Sequence, residues 1–494
     1  MRIKIAYKCI PSNFDFEKIK RKFPPQDGFV PVDYKVYIFL ASIVEKHNYQ
    51  ESMRERYGDY TYISYGSLEK RYSIKCLKNM RLWLREAGVI EYSNYVVGEH
   101  PFGFRFVGKY ATAHLKEVAI TKYTMVKKIL KNVNIDLQTV LKYPVLHNSL
   151  KDLSINTDEA FRCSNKLLKK EIPTYTVKLA EYEGPHDSRK KKKPTNPWIR
   201  RNCDSLAIIG IKRGIYTFTT GKKSGRLFHN VIGMRKELRK FITWKKQNLV
   251  SLDIANSQPF LSTILFFPRF WGVNKNSNLE EKHPEMGIQG IYTNTSKQQL
   301  NINQVNKDIR IRQYKKEQPA NKYVYYIMND EMTEVIVPED VKEYVEICLE
   351  GQLYEEMLAK SKALGGKYIH YTRADMKVAV LQSMFSDNRF IHQDGAELKR
   401  LFKKLFPSVY ELFSFIKLKG KTDLAVLLQS IERKLILDVM VPRFAERYPG
   451  LPIITIHDSI ATLETHKNAL HAVMCEVFME KLGYVPLLDD EVWG

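Results

Sequence analysis

The chain of 494 residues carries 79 Lys and Arg against 55 Asp and Glu, a net charge of +24, with 44% hydrophobic and 12% aromatic residues. That length holds two or three domains with real cores, and that apolar content excludes wholesale disorder. Positive charge on this scale points to a polyanionic partner, nucleic acid first, with an anionic membrane surface or a merely basic soluble protein as the bland readings.

The start, MRIKIAYKCIPSNFDFEK, lacks the continuous apolar core of a signal peptide, and no run anywhere reaches the ~18 apolar residues of a membrane span. A cytoplasmic protein is the expectation. The six cysteines (Cys9, Cys76, Cys163, Cys203, Cys348, Cys475) are scattered, with no CxxC, and read as reduced thiols.

Residues 1–115 are expected to form a first domain, centred on 31–110. PVDYKVYIFLASIVEKHNY has the spacing of an amphipathic helix. A short helix, a turn and a longer helix from about Ser73 to Ala87 come next. Ile74, Leu77, Met80, Leu84 and Ala87 recur every three or four residues, while Lys75, Lys78, Arg81 and Arg85 share a more exposed face. VIEYSNYVV and FGFRFVG then read as a hairpin. Helix-turn-helix plus hairpin resembles a winged-helix DNA-binding domain, whose second helix enters the major groove. A small helical domain with a solvated basic face fits the same pattern.

Residues 116–200 read as helical and polar, ending in the basic, proline-punctuated linker SRKKKKPTNP, and could supply a thumb. Residues 201–494 hold the chemistry. In NLVSLDIANSQPFLSTILF, Leu249 to Leu252 form a short apolar strand with Asp253 at its end, then a polar turn and a buried helix. An Asn-, Gln- and Lys-rich stretch at about 272–322 reads as a surface insertion. In HYTRADMKVAVLQSMFSDNR, Arg373 and Lys377 are one helical turn apart, and Phe385 lies about two turns further along that face. Two cations and a ring can hold a triphosphate and stack a base, although an ordinary amphipathic helix gives the same spacing. In PIITIHDSIATLE a second strand ends at His457 and Asp458. A turn in which Asp458 merely caps the next segment is the simplest account of that pair. Two strands that each deliver a carboxylate also meet the requirement of a two-metal site, where separate backbone segments bridge two divalent ions.

Asp253, then Arg373 and Lys377 with Phe385, then His457-Asp458 resemble motifs A, B and C, in order, of the family A DNA polymerases and the related single-subunit phage RNA polymerases. Two further segments agree. TGKKSGRLFHN is similar to the family's segment before motif A, and LLQSIERKLILDVM to its glutamine-bearing helix before motif C. The resemblance covers about residues 215–465. It implies an α+β, right-hand polymerase fold, with an antiparallel palm sheet and helical fingers.

By the same resemblance Asp253 and Asp458 coordinate two Mg²⁺ (or Mn²⁺), and Lys377 protonates the departing pyrophosphate. Arg373 and Lys377 bind the incoming phosphates, Phe385 packs near the nascent pair, and His457 positions the primer end. Arg226, Asn230, Gln429, Arg235 and Arg239 meet the primer–template duplex. Ser459 stands where the DNA enzymes commonly carry Glu, which is closer to the phage RNA polymerase form. Gln258, at the position that gates the 2′-hydroxyl, and Phe385, without a hydroxyl, point to deoxynucleotides. The expectation is a template-directed DNA polymerase replicating a mobile element, plasmid or phage, with DNA primer–template and nucleoside triphosphates as partners and no membrane. An RNA polymerase or primase on the same fold, and a noncatalytic DNA-binding replication protein, are the alternatives.

Overall fold

The computed structural model describes residues 5–26, 28–47, 59–64, 66, 72–131, 135–183, 194–266 and 338–493. The insertion expected at about 272–322 and the polybasic part of the linker lie outside these residues.

The architecture is α+β, built around two hydrophobic cores. The first gathers β1 (Ala6–Pro11), α1 (Asp33–His47), β2 (Thr61–Tyr62), α2 (Ile74–Glu86), β3 (Ile90–Ser93), β4 (Gly103–Phe106) and β5 (Leu115–Ile120). Ser73 starts α2 by accepting the Cys76 amide at 3.3 Å, and Leu77, Met80, Trp83 and Leu84 form its buried stripe. Strands β2, β4 and β3 lie side by side in that order. Phe104 on β4 meets Phe39 of α1 edge-on at 5.2 Å. Strand β5 pairs with β1, and the core runs on through Ile120 to Val126. The first unit therefore extends past the boundary expected at residue 115, because its N-terminal strand needs β5 to satisfy its backbone.

The stretch 116–200, read as helical and polar with a basic linker, also carries strands. It includes β5 and also β6 (Leu153–Ile155), which joins the sheet of the second core. The 27-residue helix α3 (Thr157–Glu183) follows, then α4 (Pro197–Lys212), with Pro197 opening the helix and Asn196 capping it. Strands β7 (Phe218–Thr220) and β8 (Leu227–His229) make a hairpin with Lys222 and Lys223 exposed in its loop.

Next come β9 (Ile242–Trp244), β10 (Gln247–Ile254), α5 (Ser257–Ser262), α6 (Arg373–Phe385) and α7 (Asp423–Arg433). A π-helix, Lys434–Met440, continues α7. The last strands are β11 (Ile454–Ile456), β12 (Ser459–Leu463) and β13 (Leu488–Trp493). The antiparallel sheet runs β11-β12-β10-β9-β6, with β13 added to β10. Lys245 and Lys246, both at positive φ (47° and 67°), supply the tight turn from β9 to β10. No described helix is long and apolar enough to cross a membrane.

Trp493 is fully buried opposite Leu249, and its indole N–H donates to Ser251 Oγ at 3.1 Å, which ties β13 to β10. Trp493→Ala is expected to cost about 3–5 kcal/mol, seen as a lower denaturation midpoint at unchanged slope.

Candidate functional site

Between Leu249 and Ile254, Asp253 alone is exposed; its neighbours are buried. The strand thus delivers one carboxylate to the end of a packed sheet. Its cross-strand neighbours are Ser459 on β12 and Asp489 on β13. Asp458 precedes Ser459 as the second residue of the two-residue turn joining β11 to β12. The first turn residue, His457, has φ 55°, in the left-handed region where glycine is cheapest. Strain of this kind persists where surrounding packing over-determines it, as it does at functional sites.

The acids raise one another's cost. Crowding by protein, then Asp458 and Asp489, push the Asp253 carboxyl up from 3.8 to about 7, with Lys236 opposing and Glu491 adding. Like charges placed directly across a ladder are destabilising. A cation placed between Asp253 and Asp458 relieves that repulsion. The donor set suits Mg²⁺ or Mn²⁺, hard ions that take one or two carboxylates and complete their shells with water and phosphate oxygens. Among the described residues no three His, Cys, Asp or Glu side chains enclose a metal by themselves.

His457 packs edge-on against Phe228 at 6.2 Å and is half-buried, and its Nδ1 has no partner among the described residues. Burial, then Arg226, hold it below its ordinary pKa. Behind it His229, pushed down to about 4 by burial, donates from Nε2 to the Thr455 carbonyl at 2.8 Å. Arg239 is half-buried beside Glu491, 3.9 Å away, close enough to Asp253 for the two charges to act on each other. Gln258, in the first turn of α5, donates to Glu432 Oε2 at 2.6 Å, and Arg226 pairs with the same carboxylate.

Helix α6 starts in a capping box between Thr372 and Asp375. Arg373 and Lys377 are both exposed. Arg373 pairs with Glu355 and lies over the Tyr354 ring at 5.1 Å, whereas Lys377 has no ion-pair partner among the described residues. Phe385, at the C-terminal end of α6, is half-buried against the second core. Helix α6 reaches the sheet through α7, which packs on α5; no described contact joins Arg373 or Lys377 to either aspartate. Gln429 is half-buried on α7.

Besides Arg226 and Arg239, paired with Glu432 and Glu491, three more expected nucleic-acid contacts are already engaged. Arg235 donates to Asp204 Oδ1 at 3.0 Å and to Glu171 at 2.8 Å, and Asp204 is itself buried. Pulling that guanidinium out would strand a buried carboxylate, so Arg235 holds α3 to α4 and is not a free backbone contact. Asn230 accepts from the Thr217 amide at 2.7 Å and donates to the Ile215 carbonyl at 2.6 Å, which spends it on the turn before β7. Arg81 is stacked on Tyr92 and Phe102, at 4.8 and 4.5 Å, fastening α2 to its hairpin, while Lys75 and Lys78 remain exposed.

Sequence reasoning missed Asp489, Glu491 and Glu432. The signal for the first two was alternation in LLDDEVW, which puts both acids on one strand face. For Glu432 it was a charge inside the apolar run LLQSIERKLIL. It also passed over Leu381, 38% exposed one turn beyond Lys377, because leucine on an amphipathic helix reads as core.

No protein-family model and no curated protein matches the chain. It is similar to a solved structure, the POL domain of Pol1 from M. smegmatis in complex with DNA primer-template and dNTP. That likeness spans 75% of this chain and 73% of that one, at 9% identity and a TM-score of 0.34. At these values it carries no argument about activity.

A carboxyl whose folded pKa is raised contributes fully below its ordinary 3.8, and that contribution is lost as pH climbs through about 7. Asp253→Asn should therefore raise the melting temperature at pH 8 in chelator by roughly a few degrees and change it little at pH 4. Added Mg²⁺ should stabilise the wild type more than the variant. A variant less stable than wild type at pH 8 would contradict this account.

Proposed function

We propose that the chain is a template-directed polymerase that adds deoxynucleotides to a primer 3′-end. The observation that carries the reading is the juxtaposition of Asp253 and Asp458 at the end of an antiparallel sheet, with Asp253 held out of its ordinary ionisation range by burial and then by its acidic neighbours. In this reading the two aspartates hold Mg²⁺, which when bound supplies positive charge for the primer hydroxyl and the leaving pyrophosphate.

The chain's own groups do the rest. Arg373 and Lys377, exposed on one face of α6, grip the triphosphate. The primer hydroxyl gives its proton to water as its oxygen bonds to the α-phosphorus, the bond from that phosphorus to the bridging oxygen breaks, and Lys377 gives the departing pyrophosphate its proton. Leu381 and Phe385 offer apolar surface to the base. Gln258 lies by the sugar, His457 positions the primer end and Gln429 faces the duplex, while Arg226 stays committed to the buried Glu432. The first unit supplies template affinity as a winged helix, supported by its helix-strand-helix-hairpin order and the β2-β4-β3 sheet. Such an arrangement suits replication of a mobile element, plasmid or phage. RNA synthesis at the same site is the second reading, favoured by Ser459 opposite Asp253.

Primer extension on a DNA template with Mg²⁺, with dNTPs or rNTPs in parallel, tests both. Asp253→Asn and Asp458→Asn should each lower extension at least about 10²–10³-fold while DNA affinity holds. Unchanged extension in either variant removes the assignment. Separately, Lys75→Ala/Lys78→Ala should weaken DNA binding and flatten its dependence on log salt by about two units, read by titration at several salt concentrations.

A further inference from the structure

We infer that Glu432 is a positioning residue that sets sugar selection by holding Gln258; the inference rests on the polymerase reading above. Glu432 is 1% exposed on a helix whose neighbours Leu427, Leu428 and Ile431 are all buried. A carboxylate in such a place is costly unless partners satisfy it. The next residue, Arg433, is not one of them, since it turns away to Asp438 at 2.6 Å. Glu432 is instead satisfied by two side chains from other segments, the Arg226 guanidinium and the Gln258 amide.

An ion pair needed only Arg226. The second bond fixes Gln258. A glutamine side chain loses much rotamer freedom on ordering, so a partner is required to hold it still. With Nε2 committed to Glu432, the amide has one orientation, and its Oε1 is buried with no partner among the described residues. The resemblance that places Gln258 at the position gating the 2′-hydroxyl makes it the sugar-reading residue of the proposed polymerase, and a wall excludes a 2′-hydroxyl only while it cannot swing aside. Glu432 touches no nucleotide; it acts through the residue that does.

The test is single-nucleotide incorporation by wild type, Glu432→Gln, Gln258→Ala and the double variant on primed DNA, giving kcat/KM for a dNTP and for the matching rNTP. Glu432→Gln should shift the dNTP-to-rNTP ratio about tenfold toward rNTPs, and should shift it no further in the Gln258→Ala background. Where Glu432→Gln alone does not fold, because Arg226 is left unpaired, Arg226→Gln/Glu432→Gln compared with Arg226→Gln carries the same comparison. A ratio that stays within about twofold while both rates fall assigns Glu432 a purely structural role and overturns the inference alone. So does an equal shift without Gln258. A wild type that incorporates neither sugar, or rNTPs only, overturns the deoxynucleotide reading and this inference with it.

Discussion

A repulsion organises the main sheet, because β10 places Asp253 between Asp458, in the turn before β12, and Asp489, on β13. Antiparallel pairing leaves no freedom in this: shifting β10 by one residue would turn Asp253 into the core and Leu252 into the cleft. The burial of Leu249, Leu252 and Ile254 and the indole of Trp493 against Ser251 pin the register. Apolar packing thus holds three carboxylates closer than they would settle in water. The strained turn at His457 belongs to the same arrangement, because only a two-residue loop brings Asp458 back beside the strand.

Much of this was legible in the sequence, for a physical reason. Each motif lies within one element, and a single element's periodicity is what sequence displays. Ser73 and the apolar stripe after it announce α2, and the apolar runs before Asp253 and Asp458 announce β10 and β11. Partnerships between elements are not displayed. Nothing local to Arg235 shows that Asp204 waits on α4, and nothing local to Asn230 shows that the turn before β7 needs its amide. Asp489 stayed hidden for the same reason, since its meaning comes from pairing with a strand far away in the chain.

Boundaries failed where a strand crossed from one stretch of sequence into another's sheet. β5 completes β1, and β6 extends the sheet of the second core, so a region of polar helical character was divided between two units. Ladder hydrogen bonds overrode composition there, because an unpaired strand edge leaves its backbone groups unsatisfied.

The charge of +24 is spent unevenly, and this bears on how the protein meets a polyanion. Arg226, Arg235 and Arg433 are largely buried and paired through a planar, multi-donor head group, the first two tying segments distant in the chain and Arg433 reaching Asp438 five residues on. Lys75, Lys78, Lys222, Lys223 and Lys377 stay exposed. Lysine is a compact point charge that grips phosphate without demanding one geometry, and it gives up its counterions on binding. A surface built in this way attracts any nucleic acid backbone. In the polymerase we propose, selection comes from rigid, arginine-anchored groups within, of which Gln258, held through Glu432 beside Arg226, is the one nearest in sequence to Asp253.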